Sequence, residues 1–254
     1  MITYDFRGKA ALVTGAASGI GLATATLLAQ SGCAVAINHL VGDPRGAEAV
    51  AALRGRTQAP VIASPGSVAD PAEAASMVAK AAAELGRLDY LVNNAGTPGT
   101  GAAIPPTDYD RITEELWDAV VEVNLKGVFR CARAAAPHLK ASGGAMVNIA
   151  SIAGINSAGS SMAYGATKAG VISLTKNLAR GLAPEVRVNA VAPGAVDSSW
   201  AIAWTEEQRR SSIEGALLKR RCTPEDLAEV IVFLLAGAGM VTGQTIVVDG
   251  GLTV

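Results

Sequence analysis

Seven short apolar runs, at 11–14, 34–38, 61–63, 90–92, 145–150, 187–191 and 245–248, alternate with longer alanine-rich stretches of helical pattern. Strands that are apolar on both faces must be covered on both faces, and helices between successive strands give that cover to a parallel sheet. The pattern predicts a single α/β domain over 1–254, doubly wound, with about seven parallel strands and helices on both faces. Half of the 254 residues are apolar, enough for a substantial core, and no linker, low-complexity tract or internal repeat divides the chain. Asp70-Pro71 and Thr223-Pro224 each read as a helix N-cap followed by proline at the first helical position. The least regular stretches, 97–107 and 195–221, both follow strand ends, the edge at which open α/β sheets bind ligands.

The first strand-to-helix junction carries Thr14-Gly15-Ala-Ala-Ser18-Gly19-Ile20-Gly21. Strand, glycine turn and helix in this order form the phosphate cradle of a Rossmann-type dinucleotide fold. Glycines permit a tight turn and close backbone approach, and the helix N-terminus offers unpaired N–H groups and a positive dipole end to a pyrophosphate. The spacing is Gly-x-x-x-Gly-x-Gly rather than the more familiar Gly-x-Gly-x-x-Gly.

Tyr164-Gly-Ala-Thr-Lys168 places a phenol and an ammonium four residues apart, on one face of a helix. A free phenol, with a pKa of about 10, exchanges protons poorly near neutrality, and a neighbouring ammonium favours the phenolate. The pair suits general acid–base work. Ser151 lies at the end of the 145–150 run, where a strand would deliver its hydroxyl to a cleft beside the phenol.

Composition narrows the remaining possibilities. With 21 basic and 22 acidic residues, no global charge suggests a nucleic acid or an anionic membrane surface. The opening Met1-Ile-Thr-Tyr-Asp-Phe-Arg lacks a basic region followed by an apolar core, and no uninterrupted apolar run reaches about 18 residues. The expectation is a cytoplasmic protein with no membrane and no nucleic-acid partner. Cys33, Cys131 and Cys222 are scattered and unsuited to a disulfide framework or a zinc site, so no metal is expected. His39 and His138 are the only histidines, which leaves little material for serine–histidine hydrolysis.

From Lys9 to Gly251 the sequence resembles the short-chain dehydrogenase/reductase family. The matching segments are Thr14 to Gly21, Asn93-Asn94-Ala95-Gly96, Asn124-Leu-Lys-Gly127, the Ser151, Tyr164, Lys168 set, Asn189-Ala-Val-Ala-Pro193-Gly194 and Thr242 to Gly251. The resemblance implies a nicotinamide cofactor, hydride transfer to or from a carbonyl or carbinol carbon, and a catalytic group of Asn124, Ser151, Tyr164 and Lys168. It implies that Asn124 kinks its helix around a water near the lysine. It further implies that Gly15, Ser18, Gly19, Ile20 and Gly21 hold the pyrophosphate side of the cofactor. His39, Ser67, Val68, Asn94, Ala95 and Gly96 would line the adenosine half. Pro193, Gly194, Val196 and Ser198, with Tyr164 and Lys168, would face the nicotinamide half. The stretch 195–221 is expected to be a substrate lid, with Ser198, Ser199, Trp200, Ile202 and Trp204 as substrate-contact candidates.

At the end of the second strand, where NAD-preferring relatives usually carry aspartate, this chain has His39, with Arg45 a few residues on. Without the carboxylate a 2′-phosphate is not repelled, and the reading leans to NADP(H) over NAD(H). Ser67 stands where relatives commonly have an adenine-contacting aspartate. The 141–144 and 182–185 segments lack the basic residues that 3-oxoacyl-carrier-protein reductases place there, so the substrate expected is a small free carbonyl compound or secondary alcohol. An acyl-carrier-protein reductase is the alternative, with Lys219-Arg220-Arg221 as a possible anion patch, and a non-catalytic nicotinamide sensor is a third reading. The resemblance also implies a homotetramer, with the helices following Trp117 and Met162 pairing across a two-fold axis.

Overall fold

The computed structural model describes residues 4–198 and 203–254, so Ser199, Trp200 and Ile202 lie outside the described residues. Strands β1 (Ala10–Val13), β2 (Ala34–His39), β3 (Val61–Pro65), β4 (Tyr90–Asn93), β5 (Ala145–Ile149), β6 (Arg187–Pro193) and β7 (Thr245–Val248) form one sheet in the order β3-β2-β1-β4-β5-β6-β7. Every pairing is parallel. The expected strands are all present, within two residues at each end.

Alternation along the strands explains why the runs are predominantly apolar at successive positions. Ala11, Val13, Val35, Ile37, Val92 and Val147 face one core, beneath α1 (Gly19–Gln30) and α8 (Pro224–Ala236), where Leu28, Ile231 and Leu235 meet them. Leu12, Ala36, Leu91 and Met146 face the other, beneath α3 (Pro71–Leu85) and α5 (Gly127–Ser142), with Met77, Val78 and Leu139. Period-two side chains on strands covered twice leave no solvent face to mark with polar residues, the exception being the edge strand β7, where Ile246 and Val247 are exposed.

Both anticipated caps form. Asp70 accepts hydrogen bonds from the N–H groups of Ala72 and Glu73, and Thr223 and Asp226 close a capping box. Asp43-Pro44 repeats the device at α2 (Pro44–Arg54), a start signal the sequence reading did not single out. Each cap is worth about 1 kcal/mol. The 195–221 stretch departs from its expectation as irregular: it contains α7 (Glu206–Gly215), opened by a Thr205–Gln208 capping box. Among the described residues no helix is long and apolar enough to cross a membrane.

Candidate active site

The strand order reverses direction between β1 and β4, so the chain leaves the adjoining carboxyl ends of these strands toward opposite halves of the sheet and opens a crevice there. Gly15 follows β1, His39 ends β2, Asn94 follows β4, Ser151 follows β5 and Gly194 follows β6, so most of the expected site residues stand along one edge.

The glycine turn is held from below. Gly15 N–H donates to the Asn38 side chain at 3.1 Å, and Asn38 in turn donates to the carbonyls of Ser64 and Gly66. The Asn94 side chain donates to the carbonyls of Thr14 and Gly15 at 2.9 and 3.0 Å, while the Thr14 hydroxyl accepts from the N–H groups of Asn94 and Ala95. A Cβ on Gly15 would lie 2.9 Å from Ala95 Cα, and one on Gly21 would lie 2.5 Å from both Asn94 Nδ2 and the Gly15 carbonyl. Gly15 also has φ +61°, a left-handed conformation open to glycine at little cost. Ser18 caps α1 without a side-chain hydrogen bond, and no acidic residue occupies the first turn. The helix N-terminus therefore keeps N–H groups and a positive dipole end for an anion, and the turn's backbone can be approached closely. These residues fit a dinucleotide pyrophosphate.

Asn94 thus acts first as a brace for the turn. Thr14 and Asn38, which perform the same task, were not picked out from the sequence; each is a polar residue at the end of an apolar run, the one available signal. Ser67 is engaged locally, its N–H donating to Glu73 and its hydroxyl accepting from Ala69 N–H. Val68 is buried under Gly127, whose Cβ would lie 2.8 Å from it. Gly96 follows this brace, half-buried. At β6, Gly194 lets the backbone of the chain end approach: its Cβ would fall 2.6 Å from Asp249 Cβ. Pro193 is buried, and Val196 packs against the core beneath α1 and α8. Ser198 lies beside the glycine turn, its Cβ 3.8 Å from where a Cβ on Gly19 would be.

Ser151, Tyr164 and Lys168 come together. Ser151 caps a 3-10 turn, Ile152–Gly154, and Gly154 packs so tightly on α6 (Met162–Leu182) that its Cβ would sit 2.5 Å from the Ala169 nitrogen and the Lys168 carbonyl carbon. That contact docks the serine turn onto the helix carrying the other two groups. Ser161 caps α6 by accepting from Tyr164 N–H. Lys168 Nζ donates to the Ile149 carbonyl at 2.7 Å and stands 5.6 Å from the Tyr164 ring centroid.

Electrostatics at the pair differ from the sequence expectation. Burial pushes the Tyr164 phenol up to about 12, opposed by a side-chain hydrogen bond with Ser151, and pushes the Lys168 ammonium down to about 8. Desolvation disfavours whichever form is charged, and here it outweighs the Ser151 hydrogen bond that favours the phenolate.

Asn124 is fully buried one step away. It sits in a π-turn, Glu122–Lys126, that joins α4 (Glu114–Val121) to α5. Its side chain accepts from Thr97 N–H, donates to the Thr97 carbonyl, and reaches the Thr167 hydroxyl at 3.4 Å. Thr167 bonds to the Tyr164 carbonyl, so Asn124 links the 97–107 loop to the helix that bears the pair. A π-turn at such a place is a frequent mark of a functional site.

At the β2 end, His39 Nδ1 lies 2.9 Å from the Leu40 carbonyl, and its ring packs against Gly46, where a Cβ would come within 2.2 Å. Arg45 is forked onto Asp43, with Nη2–Oδ2 at 2.7 Å, so the two charges offset each other and Arg45 adds no net positive charge there.

A family model described as enoyl-(acyl carrier protein) reductase matches residues 15–253. The 3-oxoacyl-[acyl-carrier-protein] reductase FabG of Thermotoga maritima is 38% identical over 97% of this chain and 98% of its own. Cis-4-hydroxycyclohexanecarboxylate dehydrogenase of Sinomonas cyclohexanicum is 40% identical over 98% of each. The crystal structure of a short chain dehydrogenase from Burkholderia cenocepacia J2315 in complex with NADP superposes with a TM-score of 0.88, at 31% identity over 99% of this chain and 100% of that one. Fold, motif order and near-complete alignment agree, and the chain belongs to the short-chain dehydrogenase/reductase family as an NAD(P)-dependent oxidoreductase.

Proposed function

We propose that the protein interconverts a small free ketone and its secondary alcohol, with Tyr164 exchanging the proton at the substrate oxygen. The observation that carries this reading is the joining of the Ser151 and Tyr164 hydroxyls next to a buried lysine, at the sheet edge that also carries the glycine turn. The bound nicotinamide supplies or receives the hydride. In reduction, Ser151 holds the carbonyl oxygen, the Tyr164 hydroxyl gives that oxygen its proton, and the phenolate left behind is stabilised by the Lys168 ammonium. A phenol held high in pKa is fully protonated at neutral pH, the form a general acid requires. Asn124 keeps the helix and the 97–107 loop in register around these groups.

Because burial brings Lys168 down to about 8, its positive charge is present below that pH and lost above it. The rate of ketone reduction should therefore fall as pH rises through about 8. Lys168→Arg should move that limb to higher pH even where it lowers the maximum rate, because a guanidinium stays charged. An unchanged limb in the arginine variant would exclude Lys168 as its origin.

We infer NADP(H) as the preferred cofactor, since His39 leaves the β2 end without a carboxylate to repel a 2′-phosphate. The Asp43–Arg45 pairing makes lost repulsion, rather than added attraction, the basis of the preference. His39→Asp should invert the NADPH to NADH ratio of kcat/KM. Equal ratios in the variant and the parent would refute the inference.

A 3-oxoacyl-carrier-protein reductase is the second reading, favoured by the similarity to FabG. Three observations support the free ketone instead. Arg220 is paired with Asp226, Lys219 bonds the Glu214 carbonyl, and Arg221 donates to the Val196 carbonyl, so the basic run at 219–221 is occupied within the chain. We also infer a cytoplasmic homotetramer, supported by exposed Phe129 on α5 and Met162 on α6. The deciding experiment follows NADPH and NADH absorbance with free ketones, diketones, ketoses and a β-ketoacyl thioester. Activity confined to the thioester would replace the first reading with the second, and cofactor binding without any turnover would favour a sensor.

A further inference from the structure

Arg221 stands where the 195–221 stretch returns to the sheet. Its side chain is only 10% exposed, although arginine is rarely buried without a task. Nη2 donates to the Val196 carbonyl at 2.6 Å, Nη1 lies 3.6 Å from Asp197, and the guanidinium carbon lies 4.9 Å from the centroid of the Trp204 ring. Nε has no partner, so the burial carries a cost that these contacts must offset.

Main-chain bonds already stitch the two roots of the stretch together. Val196 and Cys222 form a parallel bridge, with Cys222 N–H donating to Ala195 and Asp197 N–H donating to Cys222. The roots therefore need no arginine to meet. What Arg221 adds is a tie from the roots to Trp204, and the neighbouring Ala203 N–H donates at 2.9 Å to the Gly101 carbonyl in the 97–107 loop. Arg221, Trp204, Ala203 and Gly101 thus form a chain of contacts from the sheet edge to that loop.

We propose that Arg221 is a positioning residue that, through Trp204, fixes residues 203–221 against the 97–107 loop and so sets how tightly the site holds its substrate. The proposal rests on the reading of this stretch as a substrate wall. Proton transfer is made by groups on α6 and after β5, which Arg221 does not touch. A lysine could keep one hydrogen bond to Val196 but would lose the planar stack and the fork, and methionine would lose both polar contacts while keeping much of the stem.

The test uses Arg221→Met, Arg221→Lys and Trp204→Leu in the full chain. With Arg221→Met, KM for the best ketone should rise about tenfold, with kcat and NADPH affinity near the parent values, and with Arg221→Lys the rise should be smaller. Trypsin cleavage after Arg209 or Arg210 should be faster in the methionine variant under conditions where circular dichroism reports an intact fold. This second readout needs no substrate, so it decides the positioning role even if the ketone reading fails. Combining Arg221→Met with Trp204→Leu should accelerate cleavage no more than either alone, because both remove the same tie. Unchanged KM and cleavage in a folded Arg221→Met protein, or fully additive effects in the double variant, would overturn the proposal. If Arg221→Met fails to fold, faster cleavage in Trp204→Leu supports it and parental cleavage there overturns it.

Discussion

Tyr164→Phe is expected to lower turnover by about 10²–10⁴-fold, the usual contribution of a general acid, while cofactor binding persists. The substitution removes one oxygen from a side chain whose helix is capped by Ser161 and whose ring packs beside Gly159, and phenylalanine retains that packing. The loss should fall on the chemical step, because no other hydroxyl is paired with Ser151 next to Lys168 in the described site. Single-turnover reduction with saturating NADPH, together with NADPH titration by fluorescence, separates the two. Turnover within a few-fold of the parent would remove Tyr164 from the proton path.

Gly21→Ala should cost both cofactor affinity and stability. Two opposed effects act on it: alanine favours a helix over glycine by about 1 kcal/mol, and overpacking costs about 1–3 kcal/mol. The clash wins here because the new Cβ would meet the Gly15 carbonyl and the Asn94 amide at 2.5 Å, and these two are bonded to each other at 3.0 Å. Neither can withdraw without opening the turn. The contrast is Gly181→Ala on α6, where nothing lies within 4 Å of the added carbon and the helix preference acts alone. Thermal unfolding should show a lowered Tm for Gly21→Ala and an unchanged or raised Tm for Gly181→Ala, and NADP titration should show weakened binding only in the first. Parental NADP affinity in a folded Gly21→Ala protein would contradict the glycine turn as the cofactor cradle.

Much of the architecture was legible because its signals are local. The strands are predominantly apolar runs, those from β1 to β6 are each followed by a helical pattern, and Asp70 and Thr223 cap their helices with side chains that reach only two or three residues along the chain. Helix α7 escaped because its residues, Glu206 to Gly215, are nearly all polar and carry no apolar stripe; its one clear signal, the Thr205–Gln208 capping box, is short. The supports of the site escaped for a different reason. Asn38, Thr14, Thr97 and Thr167 matter through partners 23 to 80 residues away, and their own neighbourhoods do not reveal those partners.

By itself the sequence determined the element order, the two-sided cover of the sheet, the glycine turn at the first junction and the four-residue spacing that puts Tyr164 and Lys168 on one helix face. These follow from period, propensity and capping, which act over a few residues. The tertiary structure alone decided where that pair titrates, since burial moves the phenol up to about 12 and the ammonium down to about 8. It also decided that Asn94 braces the turn, that Arg45 is neutralised by Asp43, and that Arg221 lies under Trp204. Desolvation and pairing depend on what the rest of the chain packs around a group, and that is set only when distant segments meet.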